Sequence, residues 1–208
     1  AGPACTLADY TASAIAYSFD TFTGTTLPTT DDVLFTSTVS LGFQVCVGGV
    51  AFYGGYMASN CAFVFDAIPC FPNIQQNTNA APGIGTSYEI VKPAPTQSTS
   101  IPRNAILGPW TDIDPSLGGV IQYTTLGTAP NRRFVLSYEN IPMYSCGTSS
   151  PAIYFTSQIK IFEQNDVIEI HVGKKGVCPG WNRGQAVLGL HSYDGKIYVP
   201  PVNQTTHN

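Results

Sequence analysis

The chain has 208 residues, 43% of them hydrophobic and only 11% charged, with a formal net charge of -4 and a pI near 5.1. The acidic balance argues against a nucleic-acid partner, which needs a basic footprint, and no apolar run reaches the roughly 18 residues of a membrane span. Charge this far below the roughly 25% of an average globular protein leaves a surface of Thr, Ser, Asn, Gln and Gly, which suits an extracellular β protein able to pack against copies of itself.

The opening AGPAC carries neither a basic region nor an apolar one, and reads as a mature chain after signal-peptide removal. No Lys or Arg precedes Lys92, so the first part of the chain carries only acidic groups. Helical periodicity is nearly absent. Gly (20) and Pro (16) punctuate segments that alternate or run β-branched and aromatic, which predicts an all-β fold. The clearest strands are 43–47 (FQVCV), 56–65, 120–125, 134–139 and 186–191. Between 152 and 172 lies the best hairpin. Ile153, Phe155, Ile159 and Ile161 share one parity, with Gln158 and Lys160 on the other. After the turn Gln164-Asn165-Asp166, Ile168, Ile170 and Val172 point inward while Glu169 and His171 point out. Period two on both arms fits a half-buried antiparallel sheet. Residues 70–102, rich in Pro, Asn, Gln, Thr and Ser, read as a long surface loop of one domain spanning 1–208.

Six cysteines, Cys5, Cys46, Cys61, Cys70, Cys146 and Cys178, form an even set without metal-ligand spacing. They read as a disulfide framework in an oxidising compartment, each bridge stabilising by roughly 2–4 kcal/mol. About 15 pairings are open to six cysteines, and the sequence does not choose among them.

The stretch 108–119, GPWTDIDPSLGG, raises the main question of chemistry. Asp112 and Asp114 have the Asp-x-Asp spacing that opens calcium loops, yet no third acid follows. The favoured reading is that each caps backbone N–H groups in a turn that Pro115 rigidifies and Gly118-Gly119 complete, with calcium as the alternative and no other cofactor expected. Trp110 reads as core rather than as a sugar-stacking platform. Of Arg132 and Arg133, one is expected to face the sheet and pair with an acid and the other to be solvated, with a partner contact as the alternative. Retaining-glycosidase chemistry needs two carboxylates about 5 Å apart; Glu139 and Glu163 could in principle supply them, but nothing in their context favours it. Glu169 and His171, at i and i+2, could serve as acid–base partners or metal ligands, but the favoured reading is a cross-strand pair of Glu169 with a lysine, Lys160 standing opposite. Serine catalysis lacks a Gly-x-Ser-x-Gly elbow, and besides His171 only His191 and the tail residue His207 could act as bases. Asn203-Gln-Thr is a formal glycosylation sequon.

From Asn104 onward the order Trp110-x-Asp112-x-Asp114, Gly119-x-Ile121-x-Tyr123, then Arg133-Phe134-Val135-x-x-Tyr138-Glu139-Asn140-Ile141 resembles the nidogen-type (NIDO) extracellular domain. The stretches 104–146, 158–172 and 181–195 resemble an extracellular module of Bacteroidetes gliding-motility-associated surface proteins. In that module a Ser-Ser-Asn-Gly strand stands where this chain has Ala58-Ser59-Asn60-Cys61, and Cys61 in place of glycine suggests a family-specific disulfide. The module elsewhere sits beside repeats and a sorting domain. Here the sequence stops near where the module ends, as an excised domain or a single-domain subunit would. The resemblance implies a disulfide-stabilised antiparallel β-sandwich, jelly-roll or NIDO-like, displayed at the surface with no recorded chemistry. The expected function is a non-enzymatic structural or adhesion protein whose partners are its own copies or other surface molecules. A glycan-binding module using Trp110, Trp181 and the tyrosines is the alternative, and a secreted hydrolase the weaker one.

Overall fold

The computed structural model describes residues 5–6, 10–35, 37–65, 104–181, 186–191 and 197–198, the last pair by backbone only. The expected loop at 70–102, together with Cys70, Asn203 and His207, lies outside the described residues. Two antiparallel sheets face each other. One holds β1 (Thr25–Thr26), β6 (Val120–Leu126), β7 (Arg133–Pro142), β8 (Tyr154–Phe162) and β9 (Ile168–Lys175), in the order β1-β6-β7-β8-β9. The other holds β2 (Val39–Val47), β3 (Val50–Ala58), β4 (Ala62–Phe65), β5 (Ala105–Trp110), β10 (Val187–His191) and β11 (Ile197–Tyr198), in the order β11-β10-β5-β4-β3-β2.

Alternation builds the sandwich. In β2 every second residue from Val39 to Val47 is buried, and Phe134, Leu136 and Tyr138 of β7 face them across the core with Phe155, Ile159 and Ile161 of β8. Phe63 and Phe65 of β4 enter the same core, where Phe63 packs against Phe134 with ring centroids 5.4 Å apart. Burying each such ring stabilises by roughly 1.5–3 kcal/mol. On the other face of β4, Ala62 and Val64 join Leu107, Trp110 and Val187 in a second, smaller cluster, which is why β4 is buried throughout. Tyr138 spans the core, its hydroxyl donating to the carbonyl of Ala58 at 2.6 Å. Tyr138→Phe is expected to lower stability by about 1–1.5 kcal/mol, read by denaturant unfolding, because the hydroxyl's bond is lost at a fully buried position.

Two sequence expectations change. The run 56–65 is not one strand: β3 ends at Ala58 and β4 returns from Ala62, with Cys61 in the left-handed region at φ 56. Glycine reaches such a φ without a Cβ penalty, and here a cysteine adopts it. Cys61 also does not bridge. Its thiol is fully buried and donates to the carbonyl of Gly108 at 2.7 Å, and burial pushes it well above the usual thiol range. The two disulfides present among the described residues are Cys5–Cys46 and Cys146–Cys178.

Candidate functional site at the acidic end of the sandwich

At one end of the sandwich the chain leaves β5 and crosses to the opposite sheet through Thr111–Gly119. Trp110, 1% exposed, closes β5 as core, so its ring offers no face to a sugar. Ile113 forms a bridge to Met143, the Asp114 N–H donates to the carbonyl of Pro142 at 2.8 Å, and the Tyr144 N–H donates to that of Asp112 at 3.2 Å. The crossing is therefore stitched to the end of β7. Asp114 caps the short 3-10 turn Pro115–Leu117, accepting from the Ser116 N–H at 2.9 Å, with Pro115 at the start of the turn. Gly119 completes the turn at φ 81, where a Cβ would stand 2.6 Å from the carbonyl oxygens of Glu139 and Asn140.

Asp112 departs from the turn-capping expectation. Its side chain is buried and, among the described residues, caps no backbone group; Oδ2 accepts the indole N–H of Trp181 at 2.5 Å, while Oδ1 is buried and accepts no hydrogen bond. Trp181 reaches it because the Cys146–Cys178 bridge anchors the segment just before it, and its ring packs edge-on against Tyr144 at 4.9 Å. A second loop closes in from the N-terminal side. Asn60, fully buried, donates from Nδ2 to Asp32 Oδ1 at 3.0 Å and accepts the Ile113 N–H on Oδ1 at 2.9 Å, so one side chain ties the loop at Asp31-Asp32 to the Asp112 crossing. Burial, then the charge of Asp32, with smaller contributions from Asp31 and Asp114, pushes the Asp112 carboxyl up to about 7 against the opposing indole bond. Burial and the neighbouring Asp32 and Asp114 push Asp31 up to about 6, and burial also raises Asp32. Four carboxylates act on one another electrostatically here, of which sequence spacing revealed two. Asp31 and Asp32 stand about eighty positions away in the chain, and only the adjacent pair of acids marked them.

The other predicted residues gather on the outer face of the five-stranded sheet. Gln158, Lys160 and His171 point outward as their parity demands, yet each is at most 3% exposed because residues 17–24 lie across them as a strap. Gln158 makes a two-way bond with the backbone of Asp20, at 2.9 and 3.0 Å. The Lys160 ammonium donates to the carbonyl of Ser18 at 2.8 Å and pairs with the Asp20 carboxylate at 3.1 Å. His171 Nδ1 accepts the Ser18 N–H at 3.1 Å, leaving the ring proton on Nε2 for Glu169, 2.9 Å away. The pairing is thus Glu169 with His171 along one strand, rather than Glu169 with Lys160 across two.

Both arginines are paired, where one was expected to be solvated. Arg133 holds Asp20 through two bonds of 2.7 and 3.0 Å, and Arg132 grips Glu163 through both carboxylate oxygens and reaches the carbonyl of Gly42. The Arg133 bond, with smaller help from Lys160, holds the Asp20 carboxyl down to about 2. Glu139 accepts from Gln122 and Ser137 near the far end of β7. It is therefore roughly 20 Å along the strand from Glu163, where a retaining pair needs about 5 Å. His191 is fully buried, level with Ala105 of β5 and Ile197 of β11.

No curated protein and no solved structure matches the chain. The family model described as NIDO related matches residues 9–208. That span takes in the strap, both sheets and the stitched crossing at Asp112. The chain belongs to the NIDO-related family.

Proposed function

We propose that the chain is a non-enzymatic extracellular module, one domain over 1–208, that serves a structural or adhesive role by assembling with its own copies or with other cell-surface molecules after export. One observation carries the reading: the edge of the five-stranded sheet. Among the described residues β9 pairs only with β8, and Val167 and Val172 stand exposed along it. An edge strand presents N–H and C=O groups to which another chain can add. The edge of β2 is treated differently: the Cys46 N–H donates to Asp166 at 2.9 Å and its carbonyl accepts the Tyr10 hydroxyl at 2.8 Å, which blunts it. Two disulfides and membership of a nidogen-like family support an extracellular setting. The resemblance to gliding-motility-associated surface proteins supports an appendage, filament or matrix.

Size-exclusion chromatography with negative-stain microscopy tests this. Ordered assemblies are expected from the purified chain, and Val172→Lys, which sets a charge on the edge, should abolish them while moving stability by no more than about 0.5 kcal/mol. A strictly monomeric unmodified chain sinks the proposal. A glycan-binding reading has one described foothold, the exposed ring of Tyr144 against Trp181. Binding of a monomer to a glycan array, lost in Tyr144→Ala, would favour it.

A further inference from the structure

Asp112 is 3% exposed, and its two oxygens are unequally treated: Oδ2 has the Trp181 indole, while buried Oδ1 accepts nothing. Among the described residues no Lys, Arg or His pairs with Asp31, Asp32, Asp112 or Asp114, since the ion pairs there engage Asp20, Glu163 and Glu169. Of the neighbouring carboxylates Asp32 acts on Asp112 most strongly, then Asp31, then Asp114. Asp32 spends Oδ1 on Asn60, and that same Asn60 holds the backbone of Ile113 beside Asp112. When ionised, a buried carboxylate oxygen with no donor, whose charged neighbours among the described residues are all carboxylates, lacks the positive charge that burial of an anion requires.

We propose that Asp112, through Oδ1, and Asp32 bind a hard divalent cation of the Ca2+ class, with Asp31 flanking the ion. Among the described residues no three acidic, His or Cys side chains stand as a ready metal shell. Two carboxylates therefore hold the ion, and main-chain oxygens and water complete it. Ca2+ accepts such a mixed, irregular shell of about 6–8 oxygens, whereas Mg2+ demands near-octahedral geometry and dehydrates reluctantly. So few charged ligands place the dissociation constant in the range of extracellular modules, about 10⁻⁴–10⁻³ M. Bound there, the ion joins the Asp31-Asp32 loop to the crossing between the sheets, in parallel with Asn60.

The test uses the full chain, stripped with chelator and melted near neutral pH. Addition of about 10 mM Ca2+ is expected to raise the melting temperature by roughly 3–6 °C, with saturable one-to-one binding by calorimetric titration. Asp112→Asn and Asp32→Asn should each remove both responses. Absence of saturable binding to the unmodified chain overturns the proposal. So does an equal shift from Mg2+ at matched ionic strength, or a shift kept by both variants. Every readout belongs to the single chain, so its failure is separate from a failure of the assembly reading.

Discussion

Replacing Asp20 with alanine is expected to lower the melting temperature by roughly 4–12 °C, about 2–3 kcal/mol, more than a surface carboxylate ordinarily contributes. The reason is what it leaves behind. The Lys160 side chain is only 4% exposed, and without Asp20 its ammonium keeps one described partner, the carbonyl of Ser18. Arg133 regains water more easily, its side chain being 32% exposed. The effect should therefore be strongly non-additive: Asp20→Ala with Lys160→Met is expected to recover more than half of the loss, because the stranded charge is gone. A double-mutant cycle by thermal melting measures this, and strict additivity would show that Lys160 does not depend on Asp20. Since the Asp20 carboxyl is held down to about 2, its contribution is present above the ordinary carboxylate range and disappears only as pH falls toward that value.

The acidic end behaves with the opposite sign. Asp112 is raised to about 7 and Asp31 to about 6, so the folded chain holds protons that the unfolded chain releases. Stability from these groups is full below the unfolded carboxylate range near 4 and is lost as pH rises through about 6 and 7. With chelator present, the chain is expected to be less stable near pH 8 than near pH 5 by about 2 kcal/mol, allowing for the solvent that reaches Asp31 and Asp32. Asp112 is faced by Asp31, Asp32 and Asp114 and by the Trp181 indole, so repulsion and burial act together against its charge. Asp112→Asn keeps an acceptor for the indole without the charge, and should flatten most of the slope. Denaturant midpoints across the range provide the check. A slope unchanged in that variant would locate the titrating group elsewhere.

What the sequence made legible follows from distance along the chain. The β8–β9 hairpin could be read because its parity is local, and Ile168 and Ile170 pack inward as the alternation requires. Val172 shares that parity but lies 37% exposed at the sheet edge, since period two gives a face and not the depth of cover. The strap could not be read. Residues 17–24 have no periodicity, and their partners Gln158, Lys160 and His171 lie well over a hundred positions away. Polar residues on an outward face look solvated until something is known to lie over them. Asp112 and Asp114 looked alike by spacing and differ by context: Asp114 finds its donor two residues on, while Asp112 finds Trp181 sixty-nine residues away through a disulfide-anchored segment. Cys61 was misread because its backbone conformation, not its sulfur chemistry, sets it apart at that position.

The Cys5–Cys46 bridge has a mechanical consequence. It joins the start of the chain to β2 across a separation of 41 residues, so the strap and β1 lie inside a covalently closed loop. Tension applied at the N-terminus, as in a tethered or polymerised chain, passes through sulfur into a nine-residue strand instead of through the hydrogen bonds at Ser18, Asp20 and Gly24. Load then enters the β2–β3 pairing, while the strap stays slack. Reduction of that single bridge would reroute the same pull to the strap, peeling it from the sheet one contact at a time.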